Sequence, residues 1–333
     1  MKVAFFSAKS YDKSSFDQLT PDFNHQFSYF EAKLDQDTVY LAHGHDAICT
    51  FVNDHLDQKV LKKLSELEVK NVVLRCAGYN QVDLKYAKSL GIRICRVPAY
   101  SPEAVAEHAL ALLMTVVRKT HKAYNRVREN NFSLEGLIGI NIFKQTVGVI
   151  GTGAIGSAFC KIMLGMGCRV LAVDHYENKD LKKLGVTYCN LDELFNQSTI
   201  ISLHCPLTPE TKHLINDKRL EEMQSGVAII NTSRGALIET KAVIKALKKK
   251  KVGYLGIDVY EQEEDLFFQD LSEEILQDED IARLMTFPNV LITGHQAFLT
   301  REALHQIALT TLNNLNELES GKQLTNEITF KKA

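Results

Sequence analysis

Five short stretches of this chain carry residue types that could do chemistry together. The first is Val147 to Gly156, V-G-V-I-G-T-G-A-I-G, followed by a second apolar run, Val170 to Val173, that ends in Asp174. The other three acidic, basic and imidazole groups stand in Asn231-Thr232-Ser233-Arg234-Gly235, in Asp258-Val259-Tyr260-Glu261-Gln262-Glu263, and in Thr293-Gly294-His295-Gln296-Ala297-Phe298. In the first stretch Gly151 permits a tight turn. Gly153 lets backbone approach a pyrophosphate, and Gly156 lets a helix pack close to its strand. A helix N-terminus favours the phosphate charge. Asp174 is then placed to bond ribose hydroxyls and to repel a 2′-phosphate, which favours NAD over NADP.

The remaining stretches each end a strand-like run. In an open α/β sheet, ligands bind beyond the carboxyl ends of the strands, so an arginine, an acid and a histidine can converge there. A guanidinium grips a carboxylate bidentately and polarises a neighbouring carbonyl. A histidine gives a proton to a carbonyl oxygen as hydride arrives at carbon. A carboxylate beside that histidine favours the imidazolium and fixes its orientation. Taken singly, Arg234 also fits a surface ion pair and His295 a buried histidine. The pattern alone leaves Glu261, Glu263 and Glu264 as alternatives for the acid.

The elements that must position these groups follow from periodicity. Short β-branched runs alternate with amphipathic segments, which argues for parallel sheets covered on both faces. Expected strands are Lys2–Phe6, Ala47–Val52, Val72–Arg75 and Arg93–Val97, with helices over Asp57–Leu67 and Leu84–Leu90. Ser101-Pro102-Glu103 opens a longer helical pattern running through Ala104–Glu129. After the glycine turn, strands are expected at Thr199–Leu203, Val227–Asn231, Tyr254–Asp258 and Val290–Thr293, and a last helix at Arg301–Glu319. The acidic stretch Glu261–Asp280 reads either as a disordered loop or, because Phe267 and Phe268 need burial, as an ordered loop near a site.

Composition narrows the function classes. The 333 residues are 45% apolar and 24% charged, with a net charge of −2, which excludes a broad basic field for nucleic acid. The one basic block, Lys248 to Lys251, suits a helix terminus. No apolar stretch is long enough to span a membrane, and the start reads as a first strand rather than a signal peptide. The seven cysteines form no C-x-x-C pair and read as buried, reduced thiols of a cytoplasmic protein. The adjacent His204 and Cys205 point apart if they lie on a strand, and no metal site is expected.

The chain resembles the NAD-dependent D-2-hydroxyacid dehydrogenases, and among them the fermentative D-lactate dehydrogenases of bacteria. The resemblance covers almost the whole chain. It rests on Leu74 to Asn80, Arg96 to His108, the glycine turn with Asp174, Ser202 to Thr208, Asn231 to Leu237, Asp258 to Phe268, and Gly294 to Thr300. It implies two doubly wound parallel-sheet α/β domains, a Rossmann-type NAD-binding domain of residues 101–298 inserted into a flavodoxin-like substrate domain of residues 1–100 and 299–333. Hinges are implied near Tyr100-Ser101 and Ala297-Phe298-Leu299.

The resemblance further implies residue roles. Arg234 matches the arginine that binds substrate carboxylate and carbonyl, His295 the proton donor, and Glu263 its paired acid. Ala77, Gly78 and Tyr79 match a loop that holds the carboxylate through backbone N–H groups. Phe51, Tyr100 and Phe298 match positions lining the substrate pocket. Gly151, Gly153, Ile155, Gly156, Asp174, Cys205, Pro206, Thr211, Thr232, Ser233 and Asp258 match cofactor-binding positions, Asp258 at the nicotinamide end. The implied activity is reduction of pyruvate by NADH to D-lactate in a homodimer or homotetramer. A larger 2-keto acid is the nearest alternative substrate, and an NAD-sensing corepressor-like binding protein is the alternative of a different class.

Overall fold

The computed structural model describes residues 1–263 and 266–328. Glu264 and Asp265, and the last residues 329–333, lie outside the described residues. The chain divides into two compact units, one of residues 1–101 and 299–333 and one of residues 102–298.

The first unit is built on five parallel strands, β1 (Lys2–Phe5), β2 (Gln26–Tyr29), β3 (Ala47–Thr50), β4 (Asn71–Leu74) and β5 (Arg93–Arg96), in the order β2-β1-β3-β4-β5. This is the flavodoxin-like doubly wound order. β3 is buried throughout and β4 and β5 largely so, hence their near-continuous apolar runs. β2 is an edge strand whose residues are half-buried or exposed, so it lacks the apolar run that marks the others. The final helix, Arg301–Ser320, returns to this unit, where Ala308, Leu312, Leu315 and Leu318 join Val3, Phe5, Phe16 and Val73 in one core. Thr300 caps it by accepting from the Ala303 N–H.

The second unit carries seven parallel strands: β6 (Thr146–Ile150), β7 (Arg169–Val173), β8 (Thr187–Tyr188), β9 (Ile200–Leu203), β10 (Val227–Asn231), β11 (Val252–Ile257) and β12 (Val290–Ile292). Their order is β12-β11-β10-β9-β6-β7-β8. Winding runs outward in both directions from β6, so the topological switch point lies between β6 and β9. Successive residues of β10 alternate between two cores: Ala228 and Ile230 pack on one face, Ile229 on the other. Both faces are therefore covered, as a parallel sheet requires. β8 has two residues, too short for periodicity to reveal.

The helical pattern after Ser101 is not one helix. It breaks into Pro102–Arg118 and Thr120–Arg128, because Lys119 adopts a left-handed backbone with φ 54°. The Val117 carbonyl, freed at that break, accepts from the Ile140 N–H. An added Cβ on Gly139 would run into that same carbonyl, so the returning chain closes the helix end. The helix Thr240–Lys248 does stop at the lysine block.

Candidate active site

Six strand ends on one side of the second sheet, those of β6, β7, β9, β10, β11 and β12, hold the chemistry-bearing residues. At the end of β6, Gly151 has φ +91°, and a Cβ there would lie 2.7 Å from the Cys205 nitrogen. A Cβ on Gly156 would run into the Gly151 carbonyl oxygen, with the carbonyl carbon at 2.9 Å. Gly153 differs: a Cβ would meet nothing within 4 Å. It caps the helix Ala154–Gly165 in an extended conformation. The open space beside it belongs to a cavity of about 670 Å³ whose lining includes Thr152, Gly153, Ser157, Asn178 and Lys161 together with Glu103 and Glu107. Two glycines are thus demanded by the protein's own packing, and the third faces a void at a helix N-terminus. That arrangement fits a pyrophosphate.

Asp174 closes the turn from β7. Its carboxylate accepts from the Thr152 N–H at 2.5 Å and the Tyr176 N–H at 2.9 Å. Burial tends to raise this carboxyl, but the bonds from Tyr176 and Thr152 outweigh it and hold it below the usual carboxylate value. The side chain is therefore an anion at the tip of the second strand, where the ribose hydroxyls of a dinucleotide would lie. Ile155 is half-buried on the first turn of the following helix.

His204 and Cys205 lie just beyond the end of β9 rather than on it. His204 is half-buried, bonds to Ser202 Oγ at 2.9 Å, and is pushed down to about 3 by burial of its ring. Burial pushes the Cys205 thiol up to about 11, so it is no nucleophile. The Cys205 carbonyl accepts from Ser233 Oγ at 2.7 Å, which ties the end of β9 to the end of β10. Thr232 beside it is buried, with a hydroxyl that has no hydrogen-bond partner among the described residues. Thr211 spends its hydroxyl within its own turn, on Pro206 O and Thr208.

Arg234 follows on a half-buried extended residue, and its Nη1 donates to Ser233 O at 2.7 Å. The next residue must be glycine, since a Cβ on Gly235 would collide with the Tyr260 carbonyl. From β11, Glu263 and Glu261 take separate partners. Glu263 Oε1 lies 2.8 Å from His295 Nδ1, and its Oε2 accepts from the Tyr260 N–H at 2.9 Å. Glu261 instead pairs with His213 Nε2 at 2.5 Å and accepts from Thr240 Oγ1. The imidazole of His295 is thereby held through Nδ1, and among the described residues its Nε2 has no hydrogen-bond partner. Phe268, from the acidic stretch, lies over that ring with centroids 5.7 Å apart. The stretch is in this part an ordered loop beside the histidine.

Asp258 does not stand open to a ligand. Its buried carboxylate accepts from Thr293 Oγ1, the Gln296 and Ala297 N–H groups, and His108 Nε2. Sequence reasoning gave His108 and Thr293 no role. The signal for His108 was its place on the apolar stripe of Val105, Ala109 and Leu112, where an imidazole needs a partner.

The first unit organises its own group. Arg75 is fully buried, bonds to Phe6 O, Ser7 O and Asp12, and lies between the rings of Phe5 and Phe51 at 4.5 and 4.6 Å. The Ala77–Tyr79 loop is held by Arg96, which donates to Ala77 O at 2.7 Å and sits over the Tyr79 ring. Tyr100 is half-buried in this unit, and Phe298 is buried at the end of the other.

A family model described as "D-isomer specific 2-hydroxyacid dehydrogenase, NAD binding domain" matches residues 110–297. The chain belongs to the D-isomer specific 2-hydroxyacid dehydrogenases. It is 53% identical to a 2-hydroxyacid dehydrogenase homolog of Haemophilus influenzae, over 98% of each chain. It is 52% identical to a D-lactate dehydrogenase of Escherichia coli, over 98% of this chain and all of that one. Among solved structures, the pyruvate reductase of Chlamydomonas reinhardtii superposes with a TM-score of 0.94 at 42% identity, covering 98% of each chain. The glycine turn lies within the residues matched to the NAD-binding domain. So do Arg234, Glu263 and His295.

Proposed function

We propose that this dehydrogenase is an NAD-dependent D-lactate dehydrogenase that reduces pyruvate to D-lactate. The observation that carries the reading is the Glu263–His295 pair. One imidazole nitrogen is fixed by a carboxylate at 2.8 Å, and the other is left to meet a substrate oxygen. The likeness to the D-lactate dehydrogenase of Escherichia coli and to the pyruvate reductase of Chlamydomonas reinhardtii supports the choice of keto acid.

Gly151, Gly153, Ile155, Gly156 and Asp174 would hold the adenosine and pyrophosphate half of the cofactor. Cys205, Pro206, Thr211, Thr232 and Ser233 would line the rest of its course, whereas Asp258, fully buried and taken up by protein donors, would act only through the backbone it holds. Asp174 favours NAD, because a 2′-phosphate would meet its anion. NADH, when bound, supplies the hydride to the carbonyl carbon.

Arg234 grips the pyruvate carboxylate with its fork and polarises the carbonyl. The backbone N–H groups of Ala77, Gly78 and Tyr79 hold the same carboxylate. As the carbonyl π bond breaks, His295 gives its proton to the oxygen, and solvent later restores it. Glu263 holds the His295 ring through Nδ1, which leaves Nε2 for the oxygen that takes the proton. Phe51, Tyr79, Tyr100 and Phe298 are bulky, which suits a methyl-sized substrate side chain.

A homodimer or homotetramer in the cytoplasm completes the reading. It is supported by exposed Phe132, Leu134 and Ile138, which need cover, and by seven cysteines that are all free thiols. The test is His295→Gln. Turnover should fall by roughly two to four orders of magnitude, as for loss of a general acid, while NADH binding is retained. Unchanged turnover would remove the proton-donor assignment.

A further inference from the structure

The backbone that carries His295 hangs on one buried residue. Asp258 is fully buried at the end of β11. Its carbonyl accepts from the His295 N–H at 2.7 Å. Its carboxylate accepts from Thr293 Oγ1 at 2.5 Å and from the Gln296 and Ala297 N–H groups at 2.9 Å each. Residues on both sides of the histidine are therefore tied to the same aspartate. These ties hold His295 at φ +53°, a left-handed conformation that costs a non-glycine residue about 1–2 kcal/mol.

The remaining donor comes from a distant part of the sequence. His108 stands on the helix Pro102–Arg118, among buried Val105, Ala109 and Leu112. Its Nε2 lies 3.1 Å from Thr293 Oγ1 and 3.3 Å from the Asp258 carboxylate. The Thr293 hydroxyl has one proton and gives it to Asp258, so the bond between His108 and Thr293 needs a proton on His108 Nε2. That same proton faces the carboxylate.

We propose that His108 is a positioning residue for the reaction: its Nε2–H locks the Asp258–Thr293 pair, and that pair sets the backbone bearing His295. The inference rests on His295 as the proton donor. It deepens that assignment by tying the proton donor to the helix that opens the cofactor-binding unit. Burial pushes the Asp258 carboxyl up, and the bonds from His108, Thr293, Gln296 and Ala297 more than reverse the effect. His108 thus helps to keep Asp258 an acceptor for all its donors.

The experiment compares His108→Leu, which removes the donor, with His108→Gln, whose side-chain amide can donate from nearly the same place. Turnover with NADH and pyruvate, NADH affinity and the 15N-histidine signals of His295 are followed in each full-length protein. In His108→Leu we expect kcat to fall at least ten-fold, NADH affinity to stay within two-fold, and the His295 signal to move. His108→Gln should recover most of the turnover and the wild-type signal. A His295 signal in His108→Leu that matches wild type overturns the proposal. So does an equal loss in the leucine and glutamine variants, which would mean that only packing matters. Should the leucine variant not fold, Thr293→Val removes the hydroxyl of the same lock, and an unmoved His295 signal there overturns the proposal equally. The spectrum needs no turnover, so an inactive wild-type protein would refute the functional reading, and an unmoved signal would refute the lock.

Discussion

Alanine at Gly153 and at Gly156 should do two different kinds of damage. At Gly153 the new Cβ meets nothing within 4 Å, so the folded protein accepts it. Gly153 is the extended N-cap of the helix Ala154–Gly165, and alanine is a poorer cap by roughly 0.5–1 kcal/mol. Reduced freedom of the unfolded chain returns about 0.4–1 kcal/mol, so the net change in stability is near zero. The methyl group nevertheless fills the space where a pyrophosphate must approach the backbone. Overpacking of that kind costs about 1–3 kcal/mol, which is roughly a five- to 140-fold weaker NADH affinity.

Gly156 reverses the balance. Its Cβ would overlap the Gly151 carbonyl oxygen and sit 2.9 Å from the carbonyl carbon, so strand and helix must move apart. That overpacking also costs about 1–3 kcal/mol, now in folding, and lowers Tm by roughly 2–12 °C for a unit of this size. Thermal melts without cofactor and NADH fluorescence titrations measure both quantities. An unchanged NADH affinity in Gly153→Ala would refute the reasoning, and so would equal Tm losses in the two variants.

Two further outcomes are expected. Asp174→Ala should raise the preference for NADPH relative to NADH at least ten-fold, about 1.4 kcal/mol, because the repelling anion is gone. An unaltered NADPH to NADH ratio would contradict the ribose assignment. Acid stability should depend on His204, whose folded value is depressed from 6.5 to about 3 by burial. Between those limits the unfolded chain binds the extra proton, so stability is full above 6.5 and falls with pH by up to about 1.4 kcal/mol per unit. Asp174 and Asp258, ordinarily at 3.8 and held lower, lose their share only below that; His25 and His121, also lowered by burial, share the window from pH 6.5 to 4.5, so the comparison with a His204 variant separates its part. Over that window His204→Gln should lose up to about 2 kcal/mol less than wild type. Equal losses would show that His204 is not the titrating group.

Much of this architecture can be read in the chain, for identifiable reasons. β3, β4, β9 and β10 are buried on both faces, so their apolar runs stand out. The glycine turn is legible because Gly151 and Gly156 each answer a steric demand that no other residue meets. β2 escapes because an edge strand needs no apolar run, and the helix break at Lys119 because nothing local marks it. It depends on Ile140, more than twenty positions away, reaching Val117. The choice among glutamates is of the same kind. Past the end of β11 the two-residue alternation stops, so spacing cannot say that Glu263 turns to His295 and Glu261 to His213. His108 shows helical spacing but not which strand end faces it.

The central claim is tested most directly by incubating the purified protein with NADH and pyruvate, following loss of NADH absorbance, and resolving the lactate enantiomers. Rapid oxidation and D-lactate alone are expected. Preference for a bulkier 2-keto acid would keep the Arg234, Glu263 and His295 mechanism and change the substrate. L-lactate, or NADH binding without turnover of any 2-keto acid, would contradict the account.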